Sequence, residues 1–385
     1  MHKKIAFIAI SYIVKYDGIS VYTENLLQAL LKNLDNKQMI DVYVGKSALM
    51  LLKNRVLEES VNFIPINDNN FFIKMLHLTY KIHKQKYDLV FATNFMPLFT
   101  INAPLVKVIH DLSPEVNPKL YSKTFKYYHA FLLKSAKRFD YAIGYISNTT
   151  KNDLDKFYNI NSNNKKLLYL PNGIPFKVQN IKRASLEFMR KKYLQDSLIF
   201  LIVGRINYAK GFDKVLDFCK FLDKKFASQT KFKTVTLKIA GKQTPQTKEI
   251  LKEINFKHLK VELLGYVDDQ SLNLCYQNAH FCFFLSKNEG YGLPLVEAMW
   301  LRSIPIISDI AIFNEIMGDK YPKFDIHSDS SKKIYKFICQ IFQDKLFYDD
   351  IVNIIEHVVK KEQFGYNNAA TNLIYFLKNM KIRGK

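Results

Sequence analysis

The sequence predicts an α/β protein made of two doubly wound parallel-sheet domains. Short β-branched and aromatic runs alternate with longer helical patterns along the whole chain. A length of 385 residues favours two cores over one, because single cores stop growing at roughly 250 to 300 residues. The turn cluster Pro171-Asn172-Gly173-Ile174-Pro175 ends one set of strands before the next begins. Strands are expected at Ile5 to Ile10, Ile40 to Val44, Val61 to Pro65, Asp88 to Ala92, Val106 to Ile109, Tyr141 to Ile146 and Leu167 to Leu170. A second set follows at Leu198 to Val203, Val235 to Ala240, Val261 to Leu264, Phe281 to Leu285 and Ile304 to Ile307, with a charged helix starting near Ile181 between the sets. From Ser330 the pattern is three helices, the last around Asn367 to Met380. These boundaries give domains at 1–175 and 176–365 and a C-terminal segment, 366–385, expected to pack back on the first domain. Open sheets of this kind bind ligands in the crevice at the carboxyl ends of their strands, so functional residues belong in loops just after strands.

Composition limits the function classes. Hydrophobic residues make up 48% and charged residues 24%, the balance of a folded protein and not of a disordered one. The net charge of +22 attracts polyanions, although a surface of solvated lysines explains it equally well. The excess is spread over both halves with no basic tail, which disfavours a nucleic-acid-binding arm. The cysteines Cys219, Cys275, Cys282 and Cys339 show no metal-ligand spacing, so the reading is a reduced, cytoplasmic protein without disulfides. The opening run Ile5 to Ile10 imitates a signal peptide but lacks a small-residue cleavage site, and it is assigned to a first strand. No run reaches the roughly 18 to 20 apolar residues of a membrane span.

Two loops carry chemistry. After the strand ending at Val203 comes Gly204-Arg205-Ile206-Asn207-Tyr208-Ala209-Lys210-Gly211, followed by a helix expected over Asp213 to Lys220. Two cations five positions apart, bracketed by glycines and a helix start, suit a pyrophosphate; a solvent-facing Arg and Lys is the plainer alternative. After Leu285 comes Ser286-Lys287-Asn288-Glu289-Gly290-Tyr291-Gly292-Leu293-Pro294-Leu295-Val296-Glu297. Here two carboxylates bracket a glycine loop and a helix N-terminus whose Pro294 fits the first turn. One carboxylate is placed to face a sugar, the other to accept from ribose hydroxyls, with backbone N–H groups between them for phosphate. In the first half, His110 and Asp111 follow a strand end, where Asp111 either orients the imidazole or touches a ligand itself. The pair Asp153-Leu154-Asp155 follows Thr150 and is assigned to helix capping rather than to metal.

With these residues the chain resembles the retaining GT-B glycosyltransferases, specifically glycosyltransferase family 4, known also as glycosyl transferases group 1. Glu289 to Glu297 is similar to that family's paired-glutamate motif, and Gly204-Arg205 with Lys210-Gly211 to its pyrophosphate-binding pair. The order also agrees: Gly18-Ile19-Ser20-Val21-Tyr22, His110-Asp111, Ser147-Asn148-Thr149-Thr150, Pro171-Asn172-Gly173-Ile174, Ala240-Gly241 and Leu264-Gly265-Tyr266. The resemblance implies a GT-B fold, two Rossmann-like domains facing a central cleft, with acceptor recognition in the first and nucleotide-sugar binding in the second. It implies a nucleotide diphosphate sugar as donor, no cofactor and no metal. Arg205 and Lys210 would stabilise the departing diphosphate, Glu289 would contact the donor sugar and His110 would lie near it. Glu297 would hold the ribose; Gly204, Gly290, Tyr291, Gly292 and Leu293 would line the phosphate site, and Tyr266 would lie near the base. Gly18 would approach the donor phosphates, with Asp111 a further donor contact.

Two departures stand out. Asp17 occupies the first place of a usual glycine pair, and Trp300-Leu301-Arg302-Ser303 stands where the family has a small glycine-containing turn. The expected activity is retaining hexosyl transfer, with mannose or a deoxyhexose preferred, to a glycan or lipid-linked glycan in surface polysaccharide or glycolipid synthesis. The alternatives are a UDP-glucose-type glucosyl or galactosyl transferase, a GT-B-like sugar-nucleotide epimerase and a basic nucleic-acid-binding protein. Asn70 to Tyr87 and Lys119 to Arg138 mix aromatics with lysines and offer contact with an anionic membrane surface at the cytoplasmic face, or else are ordinary core-facing helices.

Overall fold

The structure is a computed structural model that describes residues 3–13, 17–34, 39–56, 61–67, 70–94, 96, 103–226, 232–241, 243, 245–252, 254–328, 330–361 and 365–380. Residues 15–16 of the first glycine loop and 381–385 of the C-terminal segment lie outside this set. The chain forms two compact units, Met1–Pro175 with Glu362–Lys385, and Phe176–Lys361.

The first unit holds a sheet of seven parallel strands: β1 (Lys4–Ile8), β2 (Met39–Gly45), β3 (Val61–Ile66), β4 (Leu89–Ala92), β5 (Leu105–Ile109), β6 (Ala142–Tyr145) and β7 (Leu167–Tyr169). Their order is β3-β2-β1-β4-β5-β6-β7, so the crossovers run outward in both directions from the β1/β4 boundary. Helices cover both faces, which is why strands such as Leu89–Ala92 and Leu105–Ile109 are buried at every position. Each fully buried Ile or Leu here contributes roughly 1.5 to 3 kcal/mol. The helix Gly18–Asn33 follows β1 and begins at Asp17, whose carboxylate accepts from the Ser20 N–H at 2.9 Å and the Ser20 hydroxyl at 3.0 Å. Asp17 is therefore a helix cap, engaged with its own backbone. The last helix, Tyr366–Asn379, lies against the same unit, with the Tyr22 and Tyr366 rings 6.2 Å apart and the Asn372 amide donating to the Tyr169 carbonyl at 2.9 Å. Inside the sheet Lys107 faces Asp140 at 3.4 Å; burial lowers the lysine and lifts the Asp140 carboxyl to about 6 despite their mutual attraction.

The second unit repeats the plan with β8 (Ser197–Val203), β9 (Thr234–Ala240), β10 (Leu259–Gly265), β11 (Phe281–Phe284) and β12 (Ile304–Ile307), in the order β10-β9-β8-β11-β12. Its core is aromatic: Phe200 stacks on Phe281 at 5.9 Å and on Phe283 at 5.1 Å, and Phe218 meets Phe200 edge-on. His280 is locked as the neutral imidazole. Its Nδ1 accepts from the Ile199 N–H, so Nε2 carries the proton and donates to the Lys192 carbonyl, and burial pushes its pKa down to about 4.

Three local expectations are corrected. The charged helix near Ile181 is instead two helices, Phe176–Gln179 and Leu186–Lys192, the second capped by the Ser185 hydroxyl. The stretch between is held open by Arg183, which donates to the Trp300 carbonyl and to both oxygens of Glu356. Asp153 and Asp155 do not cap. They lie within the helix Asn148–Tyr158, whose cap is Ser147, accepting from the Thr150 N–H at 3.0 Å. The helix after β8 runs farther than Lys220, over Phe212–Phe226.

In the two amphipathic segments one face is core and the other is not. On the helix Phe71–His83, Met75, Leu78 and Ile82 are buried, while Phe71, Ile73, Leu76 and Tyr80 are exposed; the Phe72 side chain is outside the described residues. On Lys123–Phe139, Leu132, Leu133 and Ala136 are buried, while Phe125, Tyr127, Tyr128 and Phe131 are exposed. Among the described residues no helix is long and apolar enough to cross a membrane.

The Trp300–Ser303 turn shows how its missing glycine is replaced. Arg302 sits at φ 65°, a left-handed conformation that costs a non-glycine residue on the order of 1 kcal/mol. Its Nε donates to Glu356 at 3.0 Å, the carboxylate that Arg183 also grips. Glu356→Ala is expected to lower the unfolding free energy by about 3 kcal/mol in urea titration, since it strands two partly buried guanidinium groups. Arg302→Gly should cost less than half of that, because relief of the backbone offsets the lost ion pair.

Candidate functional site

The order of the second sheet makes β8 and β11 direct neighbours with crossovers leaving in opposite directions, the position where doubly wound sheets open a crevice. Both motif loops leave from these two strands. Close backbone packing shapes them. Gly211, at φ 65°, lies where a Cβ would come 1.8 Å from the Leu285 carbonyl oxygen, so the β8 loop presses on the end of β11. Gly241, after β9, would drive a Cβ to 1.8 Å from the Gly204 carbonyl oxygen. Only glycine fits either place. Further links join the two loops: the Lys287 N–H donates to the Ala209 carbonyl at 2.9 Å, and the Lys287 ammonium lies 3.9 Å from Asp213.

The two cations differ in their surroundings. Arg205 is exposed and makes no ion pair among the described residues. Lys210 begins from a turn in which Asn207 accepts from its N–H at 3.0 Å, and its ammonium donates to Glu289 Oε1 at 2.6 Å. That same oxygen accepts from the Ser286 hydroxyl at 2.7 Å. Lys210 and Glu289, 79 residues apart, thus form one polar unit across the β8 and β11 loops. Beyond Glu289, Tyr291 and Leu293 are buried and Gly292 takes φ 93° at the start of the helix Leu293–Trp300, which no described side chain caps. Gly290 lies between them, partly exposed.

Glu297 is the fifth residue of that helix and 9% exposed. The Tyr276 hydroxyl donates to its Oε2 at 3.2 Å. Burial pushes its pKa up to about 7, with Lys177 and Tyr276 pulling the other way. Lys177 is in turn paired with Asp269 at 2.8 Å. Tyr266, following β10, is 74% exposed.

In the first unit, Gly18 is the exposed first residue of its helix, after β1. His110 follows β5. Its Nε2 contacts the Thr93 carbonyl at 2.8 Å, which requires the proton on that nitrogen and leaves Nδ1 as an acceptor while the ring is neutral. Burial lowers its pKa against the pull of Thr93, Asp111 and Asp17, and Tyr22 meets the ring edge-on at 4.8 Å. Asp111 does not pair with the imidazole; it accepts from the Ser113 N–H at 2.8 Å at the start of the next helix.

Sequence reasoning missed Ser286, Tyr276 and Lys177. Ser286 carried a usable signal, since it directly follows a strand end three positions before Glu289. Tyr276 and Lys177 lie in other helices, and nothing local points from them to Glu297.

Residues 186–358 match the glycosyl transferases group 1 family. An uncharacterized glycosyltransferase of Methanocaldococcus jannaschii is 22% identical over 376 residues, covering 93% of both chains. The O-antigen chain mannosyltransferase RfbU of Salmonella typhimurium is 25% identical over 210 residues, 54% of this chain and 53% of that one. Among solved structures, Anabaena HepE in complex with UDP and glucose superimposes with a TM-score of 0.68 at 16% identity, over 98% of this chain and 100% of the other. The two parallel-sheet units are those of the GT-B fold. The chain carries a glycosyl transferases group 1 domain at residues 186–358 and is a glycosyltransferase.

Proposed function

We propose that the chain is a retaining, family 4 hexosyltransferase that moves mannose or a related deoxyhexose from a nucleotide diphosphate sugar to a glycan or lipid-linked glycan. The observation that carries this reading is the pairing of Lys210 with Glu289 across the β8 and β11 loops, the β8 loop being the one that also carries Arg205. It brings a cation suited to a diphosphate against a carboxylate suited to sugar hydroxyls. The mannosyl preference and the assignment to surface polysaccharide synthesis draw support from the O-antigen relative. The UDP and glucose bound to HepE support a second reading, a UDP-glucose donor.

In this mechanism the bond from the anomeric carbon to the diphosphate oxygen breaks, and negative charge builds on the leaving group. Arg205 and Lys210 hold that charge, doing without a metal. The acceptor hydroxyl attacks on the face the diphosphate leaves, and its proton passes to a phosphate oxygen. His110, neutral with Nδ1 free to accept, orients a hydroxyl of the reacting sugar; Asp111 and Gly18 complete the donor contacts from the first unit. Tyr266 flanks the base, and Gly204, Gly290, Tyr291, Gly292 and Leu293 bring backbone to the phosphates. The exposed aromatics of Phe71–His83 and Lys123–Phe139, interleaved with lysines, support peripheral attachment to an anionic membrane at its cytoplasmic face.

Single substitutions Arg205→Ala, Lys210→Ala and Glu289→Ala should each reduce sugar transfer by about 10²- to 10³-fold while circular dichroism shows the fold retained. Near-normal transfer in all three contradicts the mechanism. Glu297 sets a pH dependence. Its carboxylate must be ionised to accept from both ribose hydroxyls, so donor affinity should rise as pH climbs through about 7 and level off above it. Because the folded protein holds this proton up to about 7 and the unfolded chain only to about 4.5, stability should fall as pH rises from about 4.5 to about 7 and level off above. Titration calorimetry from pH 5.5 to 8.5 reads the affinity profile, and Glu297→Gln should flatten it.

A further inference from the structure

Ser286 is held in the site through both its side chain and its backbone. It is 3% exposed, and its hydroxyl donates to Glu289 Oε1 at 2.7 Å, beside the Lys210 ammonium at 2.6 Å on the same oxygen. Its own backbone is fixed from the far side, because the buried Ser308 hydroxyl, just past β12, donates to the Ser286 carbonyl at 2.6 Å. The serine is thus tied to the β11–β12 register and acts as a rigid donor. Lys210, by contrast, is 36% exposed on a flexible stem. Two donors on Oε1 fix the plane of the carboxylate, and Oε2 stays outside both bonds.

We propose that Ser286 is a positioning residue: it holds Glu289 so that Oε2 faces the hydroxyls of the donor sugar, and it thereby lets the site prefer a nucleotide sugar to the bare nucleoside diphosphate. This rests on the donor reading above and adds a residue to it. Diphosphate recognition runs through Arg205 and Lys210 and does not pass through Ser286. Sugar recognition runs through Glu289 and does. Loss of the Ser286 hydroxyl leaves the carboxylate pinned by one mobile lysine, free to swing with it.

The test is titration calorimetry on the full chain with GDP, UDP, GDP-mannose and UDP-glucose, comparing the natural protein with Ser286→Ala and Ser286→Thr. For whichever base binds, Ser286→Ala should weaken the sugar conjugate about fivefold and change the bare diphosphate by less than twofold. Ser286→Thr, which keeps the hydroxyl, should restore the preference. Equal losses for both ligands, no loss for either, or no rescue by threonine overturn the role assigned to Ser286. If the alanine variant does not fold, Ser286→Cys replaces it, being near in volume and a weak donor, and is judged by the same ratio. A natural protein that binds none of the four ligands sinks the donor reading itself, and the role of Ser286 with it.

Discussion

The contact on which the site depends is the ion pair between Lys210 and Glu289. In isolation neither group is well disposed toward a donor: a lysine on a short turn is mobile, and a carboxylate beside a diphosphate repels it. Joined at 2.6 Å they meet at one carboxylate oxygen, which the Ser286 hydroxyl also holds. The ammonium keeps two further N–H donors, and the carboxylate keeps one oxygen outside the pair. The pair spans two loops that lie close together, Gly211 letting the β8 loop press against the Leu285 carbonyl and Lys287 donating back to Ala209. Sheet order, glycine placement and side-chain chemistry therefore act on a single point.

The second unit handles its carboxylates by contrasting means. Glu289 has a cation and a hydroxyl on one oxygen, whereas Glu297 is enclosed by the helix that begins at Leu293 and relies on Tyr276 and the more distant Lys177. Burial outweighs both helpers and lifts its pKa to about 7. Two glutamates eight positions apart on one segment thus meet opposite environments, so one anchors a cation while the other titrates near neutrality.

Much of the fold was legible in the sequence because parallel strands covered on both faces must be apolar along their length. The runs from Ile5 and Leu198 onward located every one of the twelve described strands to within a few residues. Helix limits were less legible where long-range contacts decide them. The break at Ile181–Ala184 follows from Arg183 reaching Glu356, 173 residues away, and no local pattern carries that. The motif residues were legible singly, but their partnership was not: Lys210 and Glu289 stood in separate motifs, and Ser286, whose hydroxyl donates to the same Glu289 oxygen, signalled only by its place after a strand end. Asp17, standing in the first place of a usual glycine pair, proves to be a cap because its carboxylate has a backbone N–H within reach.

The central claim is that the β8 and β11 loops hold a diphosphate. A crystal structure of the full chain with a bound nucleoside diphosphate tests it most directly. The account predicts phosphate oxygens within hydrogen-bond distance of both Arg205 and Lys210, with Lys210 still touching Glu289. A nucleotide seated elsewhere, or with its phosphates turned away from Arg205, would contradict it.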